Sequence, residues 1–136
     1  MYDDMYEDDY LDDEVEKKKI MVVDDTPLVL RNMKNMLDTK YTVFVATSGQ
    51  QALKMIPDKE PDLLLLDYEM PGMDGKEVYE TMLANESMKN IPVIFLTGTS
   101  DSKAVYSILK SNPAGYILKP ADKEKVLETI EKVFQR

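Results

Sequence analysis

The stretch LLLLDYEMPGMDG, residues 63–75, decides the architecture that we expect for this chain. Its four consecutive leucines have the length of a strand, and an unbroken apolar run suits a strand covered on both faces, as in a parallel sheet. The run ends in Asp67, and Pro71-Gly72 marks a turn. Asp74-Gly75-Lys76-Glu77 then has the pattern of a capping box, which predicts the start of a helix. The stretch therefore predicts a buried strand, a polar loop and a helix.

The same alternation extends through the rest of the chain. Four further apolar runs of strand length are Ile20–Val23, Val43–Ala46, Val93–Leu96 and Tyr116–Leu118. Helical spacing of apolar residues follows the other runs, at Val29–Leu37, Ala52–Ile56, Val105–Leu109 and Val126–Phe134. Strands that alternate with helices form a (βα)5 unit, and right-handed crossovers place its helices on both faces of a parallel sheet. We therefore predict an α/β fold, a three-layer sandwich with one five-stranded sheet.

Polar side chains follow four of the five predicted strands. They are Asp24-Asp25 after the first strand, Asp67 after the third, Thr97-Gly98 after the fourth and Lys119-Pro120 after the fifth. In open parallel sheets the functional crevice lies beyond the carboxyl ends of the strands. We therefore expect three carboxylates, a hydroxyl and an ammonium group to converge on one edge of the sheet.

Three carboxylates at one edge repel one another, and a divalent cation relieves that repulsion. Mg²⁺ takes oxygen ligands in octahedral geometry and keeps several waters, so one or two of these acids would suit it. Each residue also has a simpler interpretation: Asp24-Asp25 as a helix cap, Asp67 as a turn acid, Thr97 as a loop residue, Lys119 as a solvated side chain. We favour a functional site because all of these residues fall at the same edge.

These motifs resemble the receiver domain of two-component response regulators, and the resemblance covers residues 18–136. It rests on Val22-Val23-Asp24-Asp25, on Leu65 to Gly75, on Leu96-Thr97-Gly98 and on Tyr116-Ile117-Leu118-Lys119-Pro120. The resemblance implies a flavodoxin-like fold whose parallel strands lie in the order 2-1-3-4-5. It also implies that the chain accepts a phosphoryl group with the help of Mg²⁺.

The resemblance also implies which residues hold the metal and the phosphoryl group. Asp67 matches the phosphoryl acceptor and would also contact the metal. Asp25 matches the direct Mg²⁺ ligand, Asp24 would act largely through water, and the backbone carbonyl of Glu69 would be a further ligand. Gly98 leaves room for the phosphoryl group beside the fourth strand.

The remaining matches concern charge neutralisation and switching. Thr97 matches the hydroxyl that turns towards the phosphoryl group, and Lys119 matches the lysine that pairs first with the acids and then with phosphoryl oxygen. Tyr116 matches the switch aromatic, which exchanges between outward and inward states. The resemblance further implies a cis Lys119-Pro120 bond.

A receiver is a signalling domain, not an enzyme, and it catalyses only its own phosphorylation and dephosphorylation. The chain has no His, so the phosphoryl donor is external: a sensor histidine kinase, a phosphotransfer protein or a small acyl phosphate. Phosphorylation would change the surface of the fourth helix, fifth strand and fifth helix, and so control an effector or a covalently linked output domain. We expect no direct nucleic-acid binding, no membrane contact and a cytoplasmic location.

Composition excludes several other classes of protein. With neither Cys nor His, the chain has no disulfide, no Cys/His zinc site and no Ser-His or Cys-His catalytic pair. Its 17 Lys and Arg against 26 Asp and Glu give a net charge of -9, which argues against nucleic-acid binding.

The excess negative charge lies at the amino terminus. Residues 1–16 contain nine acids and no base, whereas residues 17–136 balance 17 acids with 17 bases (26 − 9 = 17). We predict that residues 1–17 form an acidic, disordered tail and that residues 18–136 form the receiver domain. The alternative is that the tail docks on a basic surface or inhibits the domain.

Three other functions compete with an active receiver. An aspartate-nucleophile phosphatase would need an Asp-x-Asp motif on its first strand, whereas Asp67-Tyr68-Glu69 follows the third. A flavin carrier would need a phosphate-binding loop after the first strand, where Asp24-Asp25-Thr26-Pro27 would repel phosphate. A phosphorylation-independent interaction module of receiver fold usually lacks one of the acids, the hydroxyl or the lysine, all of which are present here.

Overall fold

The computed structural model describes residues 17–98 and 102–136. Its five strands are β1 (Lys19–Val23), β2 (Thr42–Ala46), β3 (Leu63–Asp67), β4 (Val93–Thr97) and β5 (Gly115–Leu118). Each lies within one residue of the apolar run that predicted it. Asp67 and Thr97 are the last residues of their strands, so backbone pairing holds both of them in place.

A helix follows each strand. The helices are α1 (Pro27–Leu37), α2 (Gly49–Lys59), α3 (Gly75–Leu83), α4 (Ser102–Lys110) and α5 (Lys123–Phe134). Within the described part of the chain, no helix is long and apolar enough to span a bilayer.

All five strands pair in parallel, in the order β2-β1-β3-β4-β5. One core cluster joins residues of α1 and α5 to one face of the sheet, and a second joins residues of α2, α3 and α4 to the other face. The predicted fold is therefore confirmed: a flavodoxin-like three-layer sandwich of (βα)5 topology.

The central strands explain why the leucine run is continuous. Leu63 and Leu65 pack in the α1/α5 cluster, while Leu64 and Leu66 pack in the opposite one, and all four are fully buried. Successive side chains of a strand point to opposite faces of the sheet. When both faces are covered, every position of the strand must therefore be apolar. The edge strand β5 differs, since Leu118 at its end is 52% exposed.

Two helices begin at a sequence that has the capping-box pattern. Asp74 caps α3 in a complete capping box, with its side chain accepting from the backbone of Glu77 and the Glu77 side chain accepting in return. Ser48-Gly49-Gln50-Gln51, at the start of α2, has the same sequence pattern, but only half of the box forms. Ser48 accepts from the Gln51 backbone, but the Gln51 side chain accepts from Thr47 instead of Ser48. Thr47 donates to the Gln51 side chain through both its backbone N–H and its hydroxyl, whereas a capping box would supply only the backbone N–H of Ser48.

Candidate functional site

Three carboxylates meet at the carboxyl edge of the sheet. Asp24 and Asp25 follow β1, Asp67 ends the adjacent strand β3, and one oxygen of each lies within 4.8 Å of the others. Asp24 and Asp67 are buried, whereas Asp25 is exposed. The parallel pairing of β1 with β3 brings these acids together, as the sequence predicts.

Lys119 reaches this cluster from the far edge of the sheet. Its Nζ donates to Asp24 Oδ2 at 2.8 Å and lies 3.2 Å from Asp67 Oδ1. The ammonium group thus lies between the two buried carboxylates and offsets part of their repulsion. One positive charge against three carboxylates still leaves the cluster with an excess of negative charge.

Asp24 and Asp25 have different surroundings, although they are neighbours in sequence. The Oδ2 of Asp24 accepts from Lys119 and its Oδ1 accepts from the backbone N–H of Thr26 at 2.9 Å. Both carboxylate oxygens of Asp24 are therefore already hydrogen-bonded. The side chain of Asp25 is exposed, so a cation can reach it from solvent.

The pKa of Asp67 is raised from 3.8 to about 6. Burial is the largest cause and the negative charge of Asp24 is the second, because both disfavour a further charge. The ammonium group of Lys119 and a hydrogen bond from the backbone N–H of Glu69 act in the opposite direction without cancelling the shift. Asp67 is thus a poorly solvated carboxylate that gains from any further positive charge placed beside it.

Burial lowers the pKa of Lys119, but its two acidic partners outweigh burial. The hydrogen bond to Asp24 and the negative charges of Asp67 and Asp24 bring the pKa above its ordinary value of 10.5. Lys119 therefore stays protonated at neutral pH and keeps its full positive charge in the site.

Backbone contacts hold the fourth and fifth strand ends together. The backbone N–H of Lys119 donates to the carbonyl of Thr97 at 2.8 Å, and Thr97 is fully buried. Register pairing of Asp67 with Leu96 places Thr97 one residue beyond Asp67 on the neighbouring strand. The Lys119-Pro120 peptide bond is cis, as the resemblance to receiver domains implies.

Glu69 and Tyr116 lie where the sequence places them, and their roles stay predictions. Glu69 is exposed, and its backbone N–H faces the carboxylate of Asp67. Tyr116 is partly buried and packs against the α2/α3/α4 cluster, opposite Phe95 in the β4–β5 register.

Tyr68 is a residue of the site that the sequence analysis did not single out. It directly follows Asp67, its hydroxyl lies 3.4 Å from Ser107 Oγ on α4, and its ring meets Phe95 edge-on at 5.4 Å. Its position after Asp67 was visible in the sequence, but only the folded chain shows that it contacts α4. Tyr68 therefore links the acid cluster directly to that helix.

Gly75 is required by a close backbone approach. Its N–H donates to the Tyr68 carbonyl at 2.9 Å, and a Cβ at this position would fall on the backbone oxygen of Asp67. The same atom would lie 2.9 Å from the Tyr68 Cα. The absence of a side chain thus lets the start of α3 pack directly against the end of β3 and fix the loop beside Asp67.

The donor atoms of the cluster suit a hard divalent cation. All three side chains offer carboxylate oxygens, the ligands that Mg²⁺ prefers, and Asp25 provides an exposed approach. The pKa of Asp67 is raised by burial and by Asp24, so a cation beside it would relieve an existing electrostatic cost. The residues present therefore fit a magnesium ion.

Comparison with known proteins identifies the class that this fold and site define. The sequence model of the response regulator receiver domain family matches residues 20–131. The chain therefore belongs to the response regulator receiver domain family, and the resemblance drawn from its motifs is confirmed.

Similar proteins include both stand-alone and linked receivers. Chemotaxis protein CheY of Pseudomonas aeruginosa is 33% identical over 120 residues, which cover 87% of this chain and 97% of that protein. A protein-glutamate methylesterase/protein-glutamine glutaminase of Trichodesmium erythraeum is 39% identical over 124 residues, 85% of this chain but 35% of that protein. Among solved structures, the receiver domain of a signal transduction histidine kinase from Syntrophus aciditrophicus has a TM-score of 0.80 at 27% identity. That match covers 87% of this chain and 90% of the solved one.

The raised pKa of Asp67 leads to a prediction about stability. The folded carboxyl binds a proton more tightly than the unfolded one, so the metal-free fold loses stability as the pH rises from about 4 to about 6, and the full loss is present at pH 7. Asp67→Asn removes that cost, and we expect the variant to be more stable at pH 7 by on the order of 2 kcal/mol. The advantage should shrink as the pH falls from 7 to about 4, measured by urea denaturation in EDTA.

Asp58→Asn, at an exposed carboxylate on α2, is the matched control and should show no such gain. A metal-free wild-type protein that is more stable than Asp67→Asn at pH 7 would contradict this account of the site.

The close approach at Gly75 leads to a second prediction. Gly75→Ala places a Cβ against backbone atoms that cannot move without displacing α3, so we expect a loss of about 1–3 kcal/mol in the free energy of unfolding. Phosphorylation at the neighbouring acid should also slow. Gly98→Ala is the control for stability, because a Cβ at Gly98 meets no atom within 4 Å. Equal urea midpoints for the two variants would show that the contact is unimportant.

Proposed function

We propose that this chain is an active receiver that accepts a phosphoryl group on Asp67. The observation that carries the proposal is the pairing of Lys119 with Asp24 and Asp67 beside an exposed third acid, Asp25. Membership of the receiver family and the likeness to chemotaxis protein CheY support it.

The chemistry assigned to Asp67 is nucleophilic attack on phosphorus. A carboxylate oxygen forms a bond to the phosphorus of the donor, and the bond between phosphorus and the leaving group breaks, which produces an aspartyl phosphate. Because the chain contains no His, the donor is a phosphohistidine of another protein or a small acyl phosphate. In phosphoryl transfer the protein contributes mainly position and charge neutralisation.

Each remaining residue of the site has a role in that neutralisation. Lys119 already lies 3.2 Å from Asp67 Oδ1, so its ammonium group can shift from the carboxylate to a phosphoryl oxygen. Thr97, on the adjacent strand end, would donate a hydrogen bond through its hydroxyl.

Asp25 and Asp67 would hold Mg²⁺ directly, together with the Glu69 backbone carbonyl. Asp24 would act through water, since both of its oxygens already accept hydrogen bonds. When bound, Mg²⁺ supplies positive charge that offsets the negative charge of the phosphoryl oxygens.

The proposed output is a change in the surface formed by α4, β5 and α5. Drawing Thr97 towards the phosphoryl group would change the space available to Tyr116 on the neighbouring strand. Tyr68 adds a second connection, since it directly follows Asp67 and its hydroxyl contacts Ser107 on α4. The added charge of the phosphoryl group would thereby favour one of two arrangements of the α4–β5–α5 surface.

The proposed partners follow from the family. A sensor histidine kinase or a phosphotransfer protein would supply the phosphoryl group, and an effector protein or a linked output domain would read the surface. The methylesterase relative, of which this chain matches 35%, illustrates the linked arrangement. Residues 18–136 would be the receiver unit, in the cytoplasm, without direct contact to nucleic acid or membrane.

The proposed function is tested by intact-mass measurement after incubation with acetyl phosphate and Mg²⁺. We expect one phosphoryl group on the wild type and on Asp58→Asn, and none on Asp67→Asn or in EDTA. The group should be released by hydroxylamine, as an acyl phosphate is. Stable uptake by Asp67→Asn would refute the acceptor assignment. No uptake by the wild type from acetyl phosphate or from a cognate kinase would favour a phosphorylation-independent interaction module.

A further inference from the structure

One surface of the described protein concentrates exposed apolar side chains. The described part of the chain has five large exposed hydrophobic residues, which are Leu28, Leu83, Tyr106, Leu109 and Leu118. Three of these lie on α4 and β5: Tyr106 is 66% exposed, Leu109 54% and Leu118 52%. We call Tyr106, Leu109 and Leu118 the edge patch.

The orientation of α4 explains why these residues share a surface. The contact between Ser107 and Tyr68 turns that side of α4 towards the β3–α3 loop. Successive residues of a helix are about 100° apart, so Leu109 lies about 200° from Ser107, on the side of α4 away from β3. In the strand order, β5 follows β4 in that direction. Leu118 lies two residues after Tyr116 and therefore projects on the same face of the sheet, the face that α4 covers.

One basic side chain borders the edge patch, and a second lies on α5, on the other face of β5. The Nζ of Lys110 lies 5.9 Å from the centre of the Tyr106 ring. On α5, the Thr129 methyl group lies 3.5 Å from the position that a Cβ would take on Gly115, so Thr129 faces β5. Lys125 is exposed one turn earlier on that side of α5. Among the described residues, neither Lys110 nor Lys125 forms an ion pair.

The chain contains a segment with complementary chemistry. Residues 1–16, outside the described residues, carry nine acids and no base. Their acids alternate with apolar residues, which are Met1, Tyr2, Met5, Tyr6, Tyr10, Leu11 and Val15. Such a segment can place aromatic rings on exposed leucines while its carboxylates meet a bordering lysine. No other stretch of the chain combines this charge with this aromatic content.

The segment is long enough to reach the patch. It joins the domain beside the end of α5, where the Lys18 Nζ lies 5.6 Å from the centre of the Phe134 ring. Three strand spacings of about 4.8 Å separate β1 from β5, and the height of β5 adds about 13 Å. Sixteen extended residues span about 50 Å, so a tail can lie along the patch of its own chain.

We propose that residues 1–16 dock on the edge patch of the same chain, held by the acidic residues and the tyrosines. The tether makes this contact intramolecular, which favours it over the same contact between two chains in dilute solution. If the edge patch belongs to the output surface, which rests on the proposed function, the tail competes with the effector. An external partner would then need similar acidic and aromatic chemistry.

The docking is tested on the full chain with a spin label in the tail. Because the chain has no Cys, Leu11→Cys provides a single attachment site for a nitroxide. We expect the label to broaden the amide NMR signals of residues 103–110 and 115–118. High ionic strength should relieve the broadening, since exposed charges are then screened. Lys110→Glu should also relieve it. The matched control Lys54→Glu should not, because α2 packs on β1 and β2 at the other end of the sheet.

Three results would overturn the proposal. They are broadening at another surface, broadening nowhere, and equal broadening when spin-labelled chains without isotope are mixed with isotope-labelled, spin-free ones, which would indicate contact between copies. No phosphoryl group enters this experiment, so its failure leaves the assignment of Asp67 unaffected. A failed phosphorylation test would likewise leave the docking result standing.

Discussion

The ammonium group of Lys119, between the carboxylates of Asp24 and Asp67, is the interaction on which the site depends. Two buried acids so close together would repel each other strongly without a positive charge. Lys119 offsets part of that repulsion but not all of it, because the pKa of Asp67 remains raised to about 6. The folded chain thus brings the members of the site together, and Asp67 still favours additional positive charge beside it.

The sheet supplies the rigidity that this arrangement requires. Asp67 and Thr97 end adjacent central strands, whose side chains are buried on both faces. Gly75 lets α3 begin directly against the backbone of Asp67, and the Lys119 backbone is hydrogen-bonded to Thr97. Charged groups can therefore be held close together because the backbone that carries them is fixed by an apolar core.

The sequence allowed the fold and the members of the site to be predicted, because both depend on local patterns. Continuous apolar runs specify central strands, and the residue after each run must lie at the carboxyl edge of a parallel sheet. The exposure of Leu118 does not follow from its apolar run, since edge position depends on strand order, which only the resemblance to receiver domains implied. Likewise, the contact between Tyr68 and Ser107 joins residues 39 positions apart, beyond the reach of local patterns.

The most direct test of the central claim locates the phosphoryl group on the chain. After incubation with acetyl phosphate and Mg²⁺, borohydride reduces an aspartyl phosphate to homoserine, which peptide mass mapping can assign to one position. Our account predicts homoserine at residue 67 alone, although Asp24 and Asp25 lie within 4.8 Å in the same cluster. Homoserine at residue 24 or 25, or a phosphoryl group that leaves no homoserine, would contradict it.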